Sequence, residues 1–142
     1  MELRSDDFDH GGQIPDKCAY RNDNIHPHLE WSNVPEGTES FALIFNDPDA
    51  PAGNWLHWLV HSIPPEVRSI PEGESSRGVE VENDFGVTEY GGPAPPSGTH
   101  RYIFTLYALD VPRLEGVTKE TFKDKCEEHM IESDRLMGTY SK

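Results

Sequence analysis

At 142 residues the chain has room for one domain and little more. Twelve glycines and twelve prolines, with 35% hydrophobic residues in short clusters, point away from a helical bundle and towards an all-β or loop-rich domain. Twelve Lys and Arg stand against 26 Asp and Glu, a formal charge of -14, which repels nucleic acid and anionic membranes at long range.

The opening segment, residues 1–12, has no basic region followed by an apolar one, and no later segment approaches the length of a membrane span. A cytoplasmic chain without stable membrane insertion is therefore expected. Cys18 and Cys126 lack metal spacing; a reduced pair is the simpler reading, and a single disulfide between them stays open.

Turn residues recur at Gly11-Gly12, Pro35-Glu36-Gly37, Asp47 to Gly53, Pro64-Pro65, Pro71-Glu72-Gly73 and Gly91 to Gly98, with short apolar runs between. This punctuation predicts a single all-β domain over 1–142, a β-sandwich or barrel, with one or two short peripheral helices. Leu29 to Trp31 is a weak early strand. Phe41 to Phe45 is a continuous apolar run, expected as a strand buried on both faces. Trp55 to Ser62 follows across the Asp47–Asn54 loop as its antiparallel partner. Alternation puts Leu56, Trp58 and Val60 on one face of it and Trp55, His57 and Leu59 on the other. Val79 to Val81 is a second weak strand. Arg101 to Leu109 is a strong one, with His100, Tyr102, Phe104, Leu106 and Ala108 on one face. A helix is expected with Thr118 as N-cap, Glu120 in the first turn, and Phe122, Cys126, His129 and Met130 turned to a sheet. Leu136 to Tyr140 closes the domain as a strand.

Three polar residues fall at strand ends: Asp47, His57 and His100. Groups so placed gather at one edge of a sandwich, where loops build binding sites on a rigid scaffold. The loop Tyr90 to Gly98, stiffened by proline and opened by glycine, leads into His100 and can offer N–H groups to an anion. Two imidazoles and such donors suit a phosphate or carboxylate. Asp47 would orient an imidazole, favour its protonation, or meet an ammonium group on the ligand. The same three residues could instead hold a metal, although nothing in their spacing requires one. No G-x-S-x-G elbow or activated nucleophile is apparent, so a binder is expected rather than an enzyme. Arg101, opposite in facing to His100, should pair with a carboxylate. His10, His26, His28, His61 and His129 read as surface or rim.

Asp47-Pro48-Asp49-Ala50-Pro51 with Trp55-Leu56-His57-Trp58, and Gly92-Pro93-Ala94-Pro95-Pro96-Ser97-Gly98-Thr99-His100-Arg101-Tyr102, resemble the two signatures of the phosphatidylethanolamine-binding family, in that family's order and spacing. Asn83-Asp84-Phe85-Gly86 and Leu136 to Tyr140 extend the resemblance over nearly the whole chain. It implies a two-sheet antiparallel β-sandwich, a pocket at one end of it made by Asp47, Asp49, Trp55, His57, Tyr90, Gly92, Ala94, Pro95, His100 and Tyr102, and a cis peptide at Ala50-Pro51. It also implies a small anionic ligand such as phosphate, a phospho-head-group or a carboxylate. A kinase or protease as protein partner and a homodimer are implied as well, with no cofactor and no metal. Ala94 stands where many eukaryotic members carry glycine, and Tyr20 where many bacterial members carry cysteine.

Overall fold

The computed structural model describes residues 1–142. Its strands are β1 (Glu2–Arg4), β2 (Leu29–Ser32), β3 (Ser40–Asp47), β4 (Trp55–Ile63), β5 (Ser69–Ile70), β6 (Val79–Val81), β7 (Thr99–Leu109) and β8 (Met130–Ser141); one α-helix, α1, covers Phe122–His129. A three-stranded sheet runs β1-β2-β5 and a five-stranded sheet runs β6-β4-β3-β7-β8, every pairing between strands being antiparallel. The expected two-sheet β fold is therefore the one observed.

The five-stranded sheet has two apolar faces, which explains why β3 reads as a continuous hydrophobic run. Its inner face, from Phe41, Leu43, Phe45, Trp58, Val60, Tyr102, Phe104 and Leu106, packs on Leu3, Leu29, Trp31 and Ile70 of the small sheet. Its outer face, from Ala42, Ile44, Leu59, Tyr107 and Leu109, packs on Phe122 and Cys126 of α1 and on Leu114. Cys18 belongs to the inner cluster and Cys126 to the outer one, so the sheet stands between the two thiols and both are free. Burial pushes each thiol up to about 12.

Several expectations are corrected. The helix begins after Thr121 rather than Thr118: a turn closed by the Thr121 amide on the Thr118 carbonyl (3.1 Å) precedes it, leaving Glu120 outside. Met130 is exposed and opens β8, and His129 is half-buried against Asp110. Two histidines taken for surface or rim are buried. His26 stacks on Trp58 with centroids 4.9 Å apart, and His61 bonds the Ser62 hydroxyl. All peptide bonds are trans, Ala50–Pro51 included. The loop after β3 turns instead through Asp47 Oδ1, which accepts the Asp49 amide at 2.8 Å, and through a Gly53-to-Ala50 backbone bond of 2.9 Å with Gly53 at φ +101°.

Candidate functional site

The register between β3 and β4 slips at the mouth of the sandwich. Phe45 pairs with Trp58, but Asn46 pairs with Leu56, so His57 is the extra residue of a β-bulge. Strict alternation would have sent His57 outward with Leu59. The bulge turns Leu56 to the outer cluster and leaves His57 beside the inner-face rings of Phe45 and Tyr102, at 5.4 Å from each. The backbone of His57 is held from outside the sheet: its carbonyl accepts from the Asn83 amide group at 3.0 Å and from the Gly91 N–H at 3.2 Å.

Asp47, His57 and His100 then line one cavity of about 300 Å³ at that edge. Trp55 and Phe85 wall it, set edge to face at 5.7 Å, together with Ala94 and Pro96 of the proline-rich loop and with Ala50, Pro51 and Ala52. Each imidazole is anchored through Nδ1. That of His57 lies 2.7 Å from the Gly91 carbonyl, which can only accept, and that of His100 lies 2.7 Å from Asp47 Oδ2. Both rings therefore carry their proton on Nδ1. Neither Nε2 has a protein partner, and neither is sealed from the cavity. Asp47 is itself buried, with its second oxygen committed to the Asp49 amide.

The remaining expected residues form the frame rather than the lining. Asp49 grips Arg101 through both oxygens (2.8 and 3.0 Å) and accepts its amide at 2.9 Å, which holds the Asp49 carboxyl down at about 2 and supplies the ion pair expected of Arg101. Tyr90 is buried behind His57, its hydroxyl donating to the Cys18 carbonyl at 3.0 Å. Gly92 donates to Asn24 Oδ1 at 2.8 Å, and Pro95 faces a separate hollow beside Tyr140. The Tyr102 hydroxyl is buried without a hydrogen-bond partner; it lies towards the Asp47 carboxylate and the Ala94 amide, and burial above all raises its pKa. Ligand atoms of Asp47, His57 and His100 do not converge within 4.8 Å of one another, whereas those of Asp6, His28 and Glu30 do. That second group is tied by Arg4, which bonds both carboxylates, and His28 Nδ1 already accepts the Asp6 amide.

Two contributors lay outside the sequence-based site. Phe85 meets His57 edge-on at 5.1 Å and stacks on Tyr20 at 4.6 Å. Asn83, fully buried, ties the His57 and Glu89 carbonyls together and accepts the Phe85 amide. The Asn-Asp-Phe-Gly turn was the signal available for both.

Burial is the largest cause lowering the pKa of His57, ahead of the opposing pull of the Gly91 carbonyl and Asp47; burial also lowers that of His61. Above about pH 7 both rings are neutral, folded or unfolded, and nothing is lost. As pH falls through about 6.5 the unfolded chain takes up these protons first, so stability declines until the folded-state values are reached. Urea midpoints should drop between pH 7.5 and 5.5, and His57→Gln should flatten that slope; an unchanged slope would contradict the burial argument.

A two-sheet antiparallel β domain with a histidine–aspartate pocket at its strand ends is thus the class of protein in view. The chain belongs to the phosphatidylethanolamine-binding protein family, whose sequence profile matches residues 4–141. It is 41% identical over 148 residues to a UPF0098 protein of Methanothermobacter thermautotrophicus, covering 99% of this chain and 98% of that one. It is 44% identical to the UPF0098 protein YbhB of Escherichia coli, over 81% and 82% of the two chains. A crystal structure of a phosphatidylethanolamine-binding protein homologue from Chlamydia trachomatis superposes with a TM-score of 0.92 at 39% identity, covering 99% and 96%. That of Escherichia coli YbcL, described as a new member of the mammalian family, does so at 0.92 and 29%, covering 99% and 98%. No helix is long and apolar enough to cross a membrane.

Proposed function

We propose that the pocket binds a small anion, a phosphate or carboxylate alone or as part of a head-group, without transforming it. The observation that carries this reading is the matched pair of imidazoles. Both are fixed behind through Nδ1, and both are free at Nε2 where the cavity opens. Neutral rings accept from a protonated ligand oxygen; protonated rings donate to an anionic one, in bonds worth about 1.5–3 kcal/mol each. Asp47 spends its charge on His100 and the Asp49 amide, leaving it little to oppose the ligand. The -14 charge of the whole chain repels anions, but screening confines that to about 8 Å at physiological salt. The lining has no serine, threonine or cysteine, which supports binding over nucleophilic catalysis.

Titration with inorganic phosphate, followed by imidazole 15N spectra, tests this reading. His57 and His100 Nε2 should shift together, and His57→Ala or His100→Ala should each weaken binding about tenfold. An anion favours the imidazolium, so binding raises the His57 pKa and strengthens as pH falls from 8 towards 5.5. Sulfate, whose charge is constant over that range, isolates the effect. Silence at both rings in 20 mM phosphate would remove the proposal.

A further inference from the structure

The outer face of the five-stranded sheet is only partly covered. α1 is eight residues long and seats Phe122 and Cys126 over Ala42, Leu59 and Leu109. Beyond its first turn lies an uncovered groove of about 370 Å³, floored by Ile44, Leu56 and Ile103. That volume falls in the range of small-ligand sites. Three of the chain's twelve basic residues line it: Lys119 before the helix, Lys123 on it, and Arg135 on β8, in register with Thr105. Lys119 also meets Asp84 at 3.1 Å, while Lys123 and Arg135 enter no ion pair. A chain of net charge -14 therefore concentrates positive charge over an apolar floor.

Charge alone would describe a solvated rim. The second observation is on the floor itself. Thr105 and Tyr107 are more than nine-tenths buried, yet neither side-chain oxygen has a protein partner. Both line the groove, and neither is among the polar atoms sealed from it. The rest of each side chain is buried, but the two hydroxyl oxygens stay accessible without a protein partner, so they are open to one in the cavity that the cations rim. Burial raises the Tyr107 hydroxyl to about 12 and Arg135 opposes this, so it stays a donor throughout the physiological range. Glu127 on α1 also acts on Tyr107, and Asp84, Glu120 and Glu82 act on Lys119, so negative charge is present at the groove's edge as well.

We propose that this groove is a second binding site, separate from the histidine pocket, for a small organic phosphate. Its phosphoryl oxygens meet Lys123, Arg135 and the Thr105 and Tyr107 hydroxyls, and its apolar portion lies on Ile44, Leu56 and Ile103. Arg135 offers a planar fork to two oxygens; the lysines add point charges. The floor selects against bare inorganic ions, since only a ligand with a carbon skeleton uses it.

The test is an amide 1H–15N titration of the full chain with phenyl phosphate, set against inorganic phosphate. Thr105, Arg135 and Lys123 amides should shift saturably at millimolar concentration, at least fivefold tighter for phenyl phosphate. Lys123→Ser with Arg135→Ser should weaken this at least tenfold while leaving the shifts around His57 intact. His100→Ala should do the reverse, so failure at one site is separable from failure at the other. Tyr107→Phe changes no charge and should still weaken the groove about threefold or more. The proposal is overturned by absent shifts, or by Tyr107→Phe binding like wild type while the cation variants do not, which would mean loosely held counterions. Sedimentation showing that a second copy of the chain covers this face and excludes phenyl phosphate would overturn it as well.

Discussion

Phe45→Ala is expected to lower stability by about 4 kcal/mol, read as a shift of the urea midpoint at constant slope. Phe45 is fully buried and sits at the centre of an aromatic stack, parallel to Phe104 at 3.9 Å and to Tyr90 at 5.6 Å. These neighbours are anchored elsewhere: Phe104 is paired with Leu136 on β8, and Tyr90 is bonded to the Cys18 carbonyl. They cannot collapse into the vacated space, so the lost burial and the cavity add. Against a typical total of about 5–15 kcal/mol, this loss would leave a marginal fold. His57 and Tyr102 also rest on the Phe45 ring, at 5.4 and 6.1 Å. The same substitution should therefore weaken phosphate binding at least tenfold. Leu106→Ala, at a fully buried position further along β7, should cost stability without touching affinity. Equal effects of the two on binding would show that the stack does not support the pocket.

The parts of the fold that the sequence discloses are those where side-chain pattern and backbone geometry agree. The run Phe41 to Phe45 discloses a doubly covered strand, and the alternation from His100 to Leu109 sorts β7 correctly between the two clusters. The two signature segments converge on one cavity, bringing Asp47, Trp55, His57, Ala94 and His100 together.

What stays hidden is set by single backbone events. Period-two reasoning assigns His57 to the wrong face, because a bulge adds one residue that no side-chain pattern announces. β8 runs for twelve residues although only Leu136 and Gly138 along it are buried; pairing with β7 along its whole length, rather than hydrophobic alternation, makes it a strand. β1 and β5, at three and two residues, are too short to show a period. Asn83 reads as a turn residue, and its role in clasping the bulge depends on carbonyls 26 residues earlier and six later. The cations of the outer groove are scattered over residues 119 to 135, and only the meeting of α1 with β7 and β8 assembles them.

Gly92→Ala should cost about 3 kcal/mol, towards the upper end for overpacking, and should disorganise the histidine pocket as well. A Cβ at this position would stand 1.8 Å from the Cys18 carbonyl oxygen, 2.9 Å from its carbon and 3.0 Å from the Tyr20 nitrogen. All three atoms are backbone, so no rotamer change relieves the clash. The two segments are also tied to each other: the Tyr20 amide donates to the Pro93 carbonyl at 3.0 Å, Gly92 to Asn24 at 2.8 Å, and Tyr90 to Cys18 at 3.0 Å. Forcing them apart moves the Gly91 carbonyl, and with it the anchor of His57 Nδ1 at 2.7 Å. Gly98→Ala is the control, because its Cβ meets open space and only the φ of +65° is strained, at about 1 kcal/mol. Thermal unfolding should separate the two variants clearly, and only Gly92→Ala should displace the His57 imidazole resonances. If the two melt alike with those resonances unmoved, the close approach of residues 92 and 18 is not what holds the bulged histidine in place.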